Sequence, residues 1–300
     1  MLIAVTGASG FVGRHLTALL VRRGHRVRAL VRSDGRGRAL DGLPIERTVG
    51  ALANPAALST LTRGADVVVH LVGIIVETGA ATFEAVHVDG TRRLLAAARE
   101  AGVGRFVHMS AVGARDEPGA TRYHRTKWRA EALVRDCGLS HAIFRPSIIS
   151  GPGNRPIRTL ALLHRWSPVV PVFGDGRFPT QPVWIDDVAL AFALAAERPA
   201  PGGVFELGGP AALTYEEFVR AIGRAAGHPR PLVHVPLAVT RAVAAAFGVA
   251  GPLAPLTTDQ LQMLVEGSAT PANALESLFG IRALPFEAGL ARYLGGGRRR

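Results

Sequence analysis

Three hundred residues with 48% hydrophobic content suffice for one large domain with a second lobe, and they exclude a string of small modules. The formal charge of +12 invites a nucleic-acid reading, but the arginines are spread along the chain, with local runs only in "RRGHRVRALVRSDGRGR" and the "GGGRRR" tail, and aromatics reach only 6%, so nucleic-acid binding is not expected. The single cysteine, Cys137, excludes an internal disulfide and a cysteine-based zinc site, and no histidine spacing points to a metal.

In chain order, "LIAVTG" (Leu2 to Gly7) reads as a first strand that runs straight into a glycine-rich turn, with no basic leader or cleavage site before it. Phe11 to Arg23 reads as a helix stopped by Gly24, and Arg26 to Arg32 as a second strand. Asp66 to Gly73 ("DVVVHLVG") is a buried strand, and Phe83 to Ala101 a helix with Phe83, Val86, Leu94 and Ala98 on one face. Arg105 to Ser110, Thr121 to Asp136 and His141 to Pro146 read as strand, helix and strand. Such alternation predicts an α/β fold: a doubly wound parallel Rossmann sheet with a smaller C-terminal α/β lobe. Residues 1–149 and 183–209 are assigned to the nucleotide-binding domain, and 150–182 and 210–300 to the smaller lobe, which would face a substrate or a partner. Within that lobe "PLAVTRAVAAAFGVAGPLAPL" (Pro236 to Leu256) is too interrupted to span a membrane and reads as a buried helix, with a helix lying against a membrane or a partner as the alternative. With no leader and no span, the expected location is cytoplasmic, with a peripheral position at the inner face of a membrane as the alternative.

"TGASGFVG" places Gly7, Gly10 and Gly13 between strand and helix, with Ser9, Phe11 and Val12 as further cofactor-binding candidates in the same stretch. Glycines there permit a tight turn and close backbone approach to a pyrophosphate, while the helix N-terminus offers unpaired N–H groups. An acidic residue at the end of the second strand would favour NAD; this chain has Arg32 there and Arg14 just past the last glycine, which favours NADP(H) over NAD(H).

Among 35 basic residues Lys127 is the only lysine. It lies four residues after Tyr123 on a predicted helix, so the two share a face. A tyrosine is a poor base at neutral pH unless a cation favours its phenolate, and a compact ammonium can do this while also donating to ribose hydroxyls.

The stretches "TGASGFVG", "VVVHLVG", "VHVDGTRRLL", "RFVHMSAVGA", "YHRTKWRAEALV", "FRPSIISGPGN" and "PVWIDDVALAF" together resemble the extended short-chain dehydrogenase/reductase superfamily, and within it the atypical branch of the nucleotide-binding accessory subunit of respiratory complex I and its bacterial relatives. The resemblance implies that Leu71 and Gly73 pass under the adenosine side and that Pro146 and Ser147 border the nicotinamide. It implies Tyr123 as general acid/base, with Lys127 lowering its pKa and binding the nicotinamide ribose. Three positions depart from the family pattern. Ala51 replaces an acidic residue after the third strand, Ser110 is only a stand-in for the hydroxyl that orients a substrate carbonyl, and His87 stands where asparagine is common and reads as packing or a polar rim. The resulting expectation is an NAD(P)-dependent oxidoreductase with an incomplete catalytic set, epimerase or dehydratase chemistry included, acting on a carbonyl or quinone-like small molecule. The alternative is a non-catalytic accessory subunit that keeps NADPH as a structural cofactor and docks a protein or membrane surface through its C-terminal lobe.

Overall fold

The computed structural model describes residues 1–198, 202–248 and 257–295. A seven-stranded sheet is built from β1 (Leu2–Thr6), β2 (Arg26–Val31), β3 (Glu46–Val49), β4 (Val67–His70), β5 (Arg105–Met109), β6 (Ser140–Pro146) and the strand Gly203–Leu207. Its order is Gly203–Leu207, β6, β5, β4, β1, β2, β3, and β1 to β6 pair in parallel throughout. The strands are short continuous apolar runs because both faces are covered: every residue of β1 and β4 is buried. The first eight helices are α1 (Phe11–Arg22), α2 (Pro55–Thr62), α3 (Gly90–Glu100), α4 (Arg122–Arg135), α5 (Arg155–Trp166), α6 (Ile185–Glu197), α7 (Tyr215–Ala225) and α8 (Leu237–Gly248). α1 buries Val12, Leu16 and Leu20 at helical spacing and ends before Gly24, whose φ of 83° suits only glycine.

Strand order reverses between β1 and β4, so the loops leaving their carboxyl ends open a crevice. The two loops touch: a Cβ on Gly7 would lie 3.1 Å from the Leu71 carbonyl carbon. Gly13 admits no side chain at all, since its Cβ would stand 2.1 Å from the Gly7 oxygen.

The helix expected over Phe83 to Ala101 is interrupted. Glu84–Asp89 is a π-helical segment, and the α-helix begins only at Gly90. The wider turn shifts the inward register by one residue, so that His87 and Val88 are buried whereas Val86 is not. Sequence spacing at 3.6 residues per turn places Val86 inward and reads His87 as packing or a polar rim; the π turn makes His87 the buried one and leaves Val86 half-buried.

The chain divides into two compact units, Met1–Pro146 with Asp186–Glu206, and Ser147–Ile185 with Leu207–Arg300. In the second, Ile157, Val170, Val172, Phe218, Ile222, Phe286 and Leu290 form the core, and the strands Val170–Phe173 and Leu232–Val235 pair in parallel. α8 corrects the buried-helix expectation: Val239 and Val243 are exposed, and the apolar stretch beyond Gly248, residues 249–256, lies outside the described residues. Among the described residues no helix is long and apolar enough to cross a membrane.

Two histidines sit inside the sheet. The His70 Nδ1 accepts from Thr6 Oγ1 at 2.6 Å and its Nε2 donates to Thr91 Oγ1 at 3.1 Å, the roles following from the Thr91 hydroxyl donating to the His87 carbonyl. His108, beside His70 and Phe106, has no hydrogen-bond partner for either ring nitrogen. Burial pushes His70 down to about 3 and His108 well below the ordinary imidazole value, so both fold neutral. Their contribution to stability is intact above the unfolded value of about 6.5 and is lost as pH falls below it, because the unfolded chain then binds more protons, at up to about 1.4 kcal/mol per pH unit for each histidine. Unfolding titrations at stepped pH are expected to show this acid slope, and His108→Phe, which also removes two unsatisfied buried nitrogens, is expected to flatten it and to raise stability at pH 6.

Candidate active site

The N-terminus of α1 meets the crevice without a cap. Gly10 makes no side-chain capping bond, and the first turn carries no acidic residue. Its free N–H groups and the positive end of the helix dipole are what a pyrophosphate requires, so this cradle fits a dinucleotide. Gly10 is exposed, Ser9 and Phe11 are half-buried, and Val12 is buried behind the turn. Arg14 lies with its guanidinium carbon 5.8 Å from the Phe11 ring centre. Arg32, just past the end of β2, is exposed. Leu71 is buried and Gly73 exposed in the loop that follows β4.

α4 starts at Thr121, whose hydroxyl accepts the His124 N–H at 3.1 Å. That start puts Tyr123 and Lys127 one turn apart beside the loop after β4. Lys127 is buried, its Nζ donates to the Met109 carbonyl at 3.0 Å, and a Cβ on Gly73 would come 3.0 Å from that Nζ and 3.6 Å from His87 Nε2. Burial pushes the ammonium down to about 8, with the Glu131 carboxylate one turn further on acting against this. Tyr123 packs edge-on against Phe83, His87 and His124 at 5.5 to 5.9 Å between ring centres.

The resemblance implied a phenol acidified by Lys127; in this structure burial pushes Tyr123 up to about 12. Ser110 is tied into the fold. Its hydroxyl, buried at the end of β5, donates to Glu131 Oε1 at 2.5 Å, and Glu131 also accepts from Arg145 at 2.7 and 2.8 Å and from Arg135 at 3.1 Å. Ser110 thus belongs to a buried ion-pair network that pins α4 to the sheet. Pro146 is buried at the end of β6, where its carbonyl accepts the Val112 N–H at 3.1 Å.

His87 is held by long-range partners that sequence spacing does not report. Its Nε2 accepts the Ile74 N–H at 3.1 Å, which leaves the proton on Nδ1 to be donated to Thr126 Oγ1 at 2.9 Å, and Thr126 in turn donates to the Tyr123 carbonyl at 3.0 Å. One neutral imidazole, pushed down to about 2 by burial and by the neighbouring Lys127 ammonium, thereby ties the loop after β4 to the turn of α4 that carries the tyrosine. Glu131 was within reach of a sequence reading, since Tyr123, Lys127 and Glu131 follow at i, i+4 and i+8. Among the described residues no cluster of three or more His, Cys, Asp or Glu side chains could hold a metal ion.

Gly73→Ala tests whether the Lys127 pocket is spatially closed. The new methyl meets the end of a flexible side chain, so Nζ is expected to shift by a few tenths of an ångström; calorimetry should then report at least about threefold weaker binding of the nicotinamide dinucleotide while the unfolding midpoint stays within a few degrees.

The comparisons with known proteins agree with this architecture. The family model described as "NAD dependent epimerase/dehydratase family" matches residues 3–208. A ceramide reductase of Caulobacter vibrioides is 35% identical over 236 residues, covering 78% of this chain and 73% of that protein. Subunit 9 of the alpha subcomplex of mouse mitochondrial NADH dehydrogenase [ubiquinone] is 32% identical over 302 residues, covering 94% of this chain and 77% of that protein. A solved UDP-glucose 4-epimerase from Thermotoga maritima, bound to UDP-glucose, superposes with a TM-score of 0.77 over 97% of this chain and 96% of that one at 21% identity, a likeness of fold alone. With a match over residues 3–208, the chain belongs to the NAD dependent epimerase/dehydratase family.

Proposed function

We propose that this protein is an NADPH-dependent reductase of a carbonyl carried by a lipid-sized, apolar molecule. The observation that carries the reading is the buried Lys127 ammonium, held between the Met109 carbonyl and the bare face of Gly73, one helical turn from Tyr123. NADPH, when bound, supplies a hydride to the carbonyl carbon and leaves as NADP. The protein supplies the rest. The uncapped N-terminus of α1 would hold the pyrophosphate, Gly7, Gly10 and Gly13 would keep side chains out of its path, and Arg32 with Arg14 would meet the 2′-phosphate. Tyr123, held protonated by burial, would give its hydroxyl proton to the carbonyl oxygen as that oxygen gains charge, and the resulting alcohol leaves. Lys127 would steady the phenolate so formed, at an ammonium placed for a ribose as well. The apolar substrate class is supported by the ceramide reductase relative and by the rings of Phe83, His87 and His124 that pack on Tyr123.

A second reading, a non-catalytic subunit that retains NADPH for stability, is favoured by the capture of the Ser110 hydroxyl by Glu131 and by the relation to the mouse respiratory subunit over 94% of this chain. Binding to the folded state alone would stabilise it by mass action. Under either reading we place the protein in the cytoplasm or at the inner face of a membrane.

Tyr123→Phe separates the two. With NADPH and a long-chain ketone as probes, the reductase reading expects turnover to fall by about 10²- to 10⁴-fold with nucleotide affinity retained. The subunit reading expects no oxidation of NADPH by the unaltered protein, and a rise of the unfolding midpoint with NADPH that Tyr123→Phe leaves unchanged. Cofactor choice is tested by Arg32→Glu, which is expected to weaken NADPH binding by about 10- to 100-fold and NADH binding little, the worth of one charge-assisted hydrogen bond; equal losses for both would dismiss Arg32 as the phosphate ligand.

A further inference from the structure

The second unit carries an unusual helix face. On α5 ("RPIRTLALLHRW") Ile157 and His164 turn inward, the latter with Nε2 against the Val219 carbonyl at 3.1 Å, while Arg155, Arg158, Leu162, Arg165 and Trp166 are exposed. The outward residues recur at three- and four-residue steps, so they form one stripe along the helix. Trp166 is the most exposed large hydrophobic side chain described, at 74%, and Leu162 at 44% and Val169 at 40% extend the apolar part just past the helix end. Arg165 lies with its guanidinium carbon 5.0 Å from the Trp166 ring centre, and Arg230, exposed, donates through Nε to the His164 carbonyl at 3.1 Å and so adds a cation at the same end.

The charge on this face is uncompensated. α5 contains no acidic residue, and Arg155, Arg158 and Arg165 enter no ion pair among the described residues, although arginines elsewhere in this unit do, Arg220 with Glu216 and Arg224 with Glu287. An exposed indole costs apolar hydration unless something covers it, and the surface here is the convex side of a helix with cations interleaved among apolar side chains. An indole suits the boundary between headgroups and acyl chains, leucine and valine the layer beneath it, and guanidinium groups on long apolar stems the lipid phosphates above. An acidic protein would satisfy the arginines but would leave Trp166 and Leu162 facing its own charged surface.

We infer that the exposed face of α5, with Val169 and Arg230, seats this protein peripherally on an anionic bilayer. Such a seat would hold a reductase of apolar carbonyls at the phase in which they dissolve, but it depends only on α5, Val169 and Arg230 and stands whether or not the protein is catalytic.

The test is flotation of the full chain with vesicles of phosphatidylcholine alone and of phosphatidylcholine with phosphatidylglycerol, read together with tryptophan fluorescence. Of the three tryptophans Trp128 is half-buried and Trp184 is buried, so a blue shift on binding reports Trp166. Expected are partition onto the anionic vesicles only, weakening as salt is raised, a blue shift that Trp166→Ser abolishes, and a loss of about fivefold in partition for each arginine removed, or about 30-fold for Arg158→Gln with Arg165→Gln. NADPH binding by these variants should match that of the unaltered chain, which excludes misfolding. No partition of the unaltered protein onto anionic vesicles would overturn the inference. Partition unchanged by the double substitution would overturn it equally, by moving the contact to α8 or to the basic tail.

Discussion

An ammonium group cannot be buried without compensation, and much of this site is arranged around the one at Lys127. The group needs an acceptor, and the Met109 carbonyl at the end of β5 provides it. It needs space, and Gly73 is the residue that leaves it: one methyl there would already crowd the nitrogen. It needs an opposing charge, which Glu131 provides from the next turn of the same helix. It also penalises any second positive charge nearby, and the surrounding imidazoles of His70, His87 and His108 are all held neutral, first by burial, with the lysine acting in the same direction on each. An arginine would bring five donors to a place that offers one carbonyl.

The sheet supplies the frame for this arrangement. Because the order reverses between β1 and β4, two loops leave the sheet side by side with nothing crossing between them, and the glycine turn and the Leu71–Gly73 segment come into contact there. Helix α4 is then pinned by charge. Glu131, fully buried, takes bonds from Ser110, Arg145 and Arg135, and the guanidinium groups of Arg135 and Arg145 lie 4.7 and 5.6 Å from the Trp128 ring centre. Removing one partner from such a network leaves an unpaired buried charge, which is costly enough to specify where the helix sits. The Ser110 hydroxyl is thereby spent on this anchor.

The π-helical segment resolves a second competition. An α-helix through Phe83 to Ala101 would have turned Val86 inward; the wider turn presents His87 instead and lets its two nitrogens serve a loop N–H on one side and a threonine of α4 on the other. A buried imidazole with both nitrogens satisfied is rigid, and rigidity here fixes the distance between the loop after β4 and the tyrosine. His108, with neither nitrogen satisfied, shows the contrary case within the same sheet.

The local and periodic features were legible in the sequence. Buried parallel strands appear as continuous apolar runs, the glycine turn as its triplet, and the Tyr123 to Lys127 pair as an i, i+4 step, because each depends on residues close along the chain. Family membership followed from the order of those motifs. What they left open was set by contacts between distant residues: Ser110 with Glu131, His87 with Ile74 and Thr126, and Lys127 with Met109 and Gly73. No spacing rule reports which way a hydroxyl turns at the end of a strand, whether a helix admits one extra residue per turn, or whether burial outweighs a neighbouring charge in a tyrosine's pKa. The sequence by itself determined the sheet, the nucleotide cradle and the identity of the polar groups. Only the tertiary structure decided which of those groups spend their hydrogen bonds on holding the fold and which remain free for chemistry, because that division depends on burial and long-range partners.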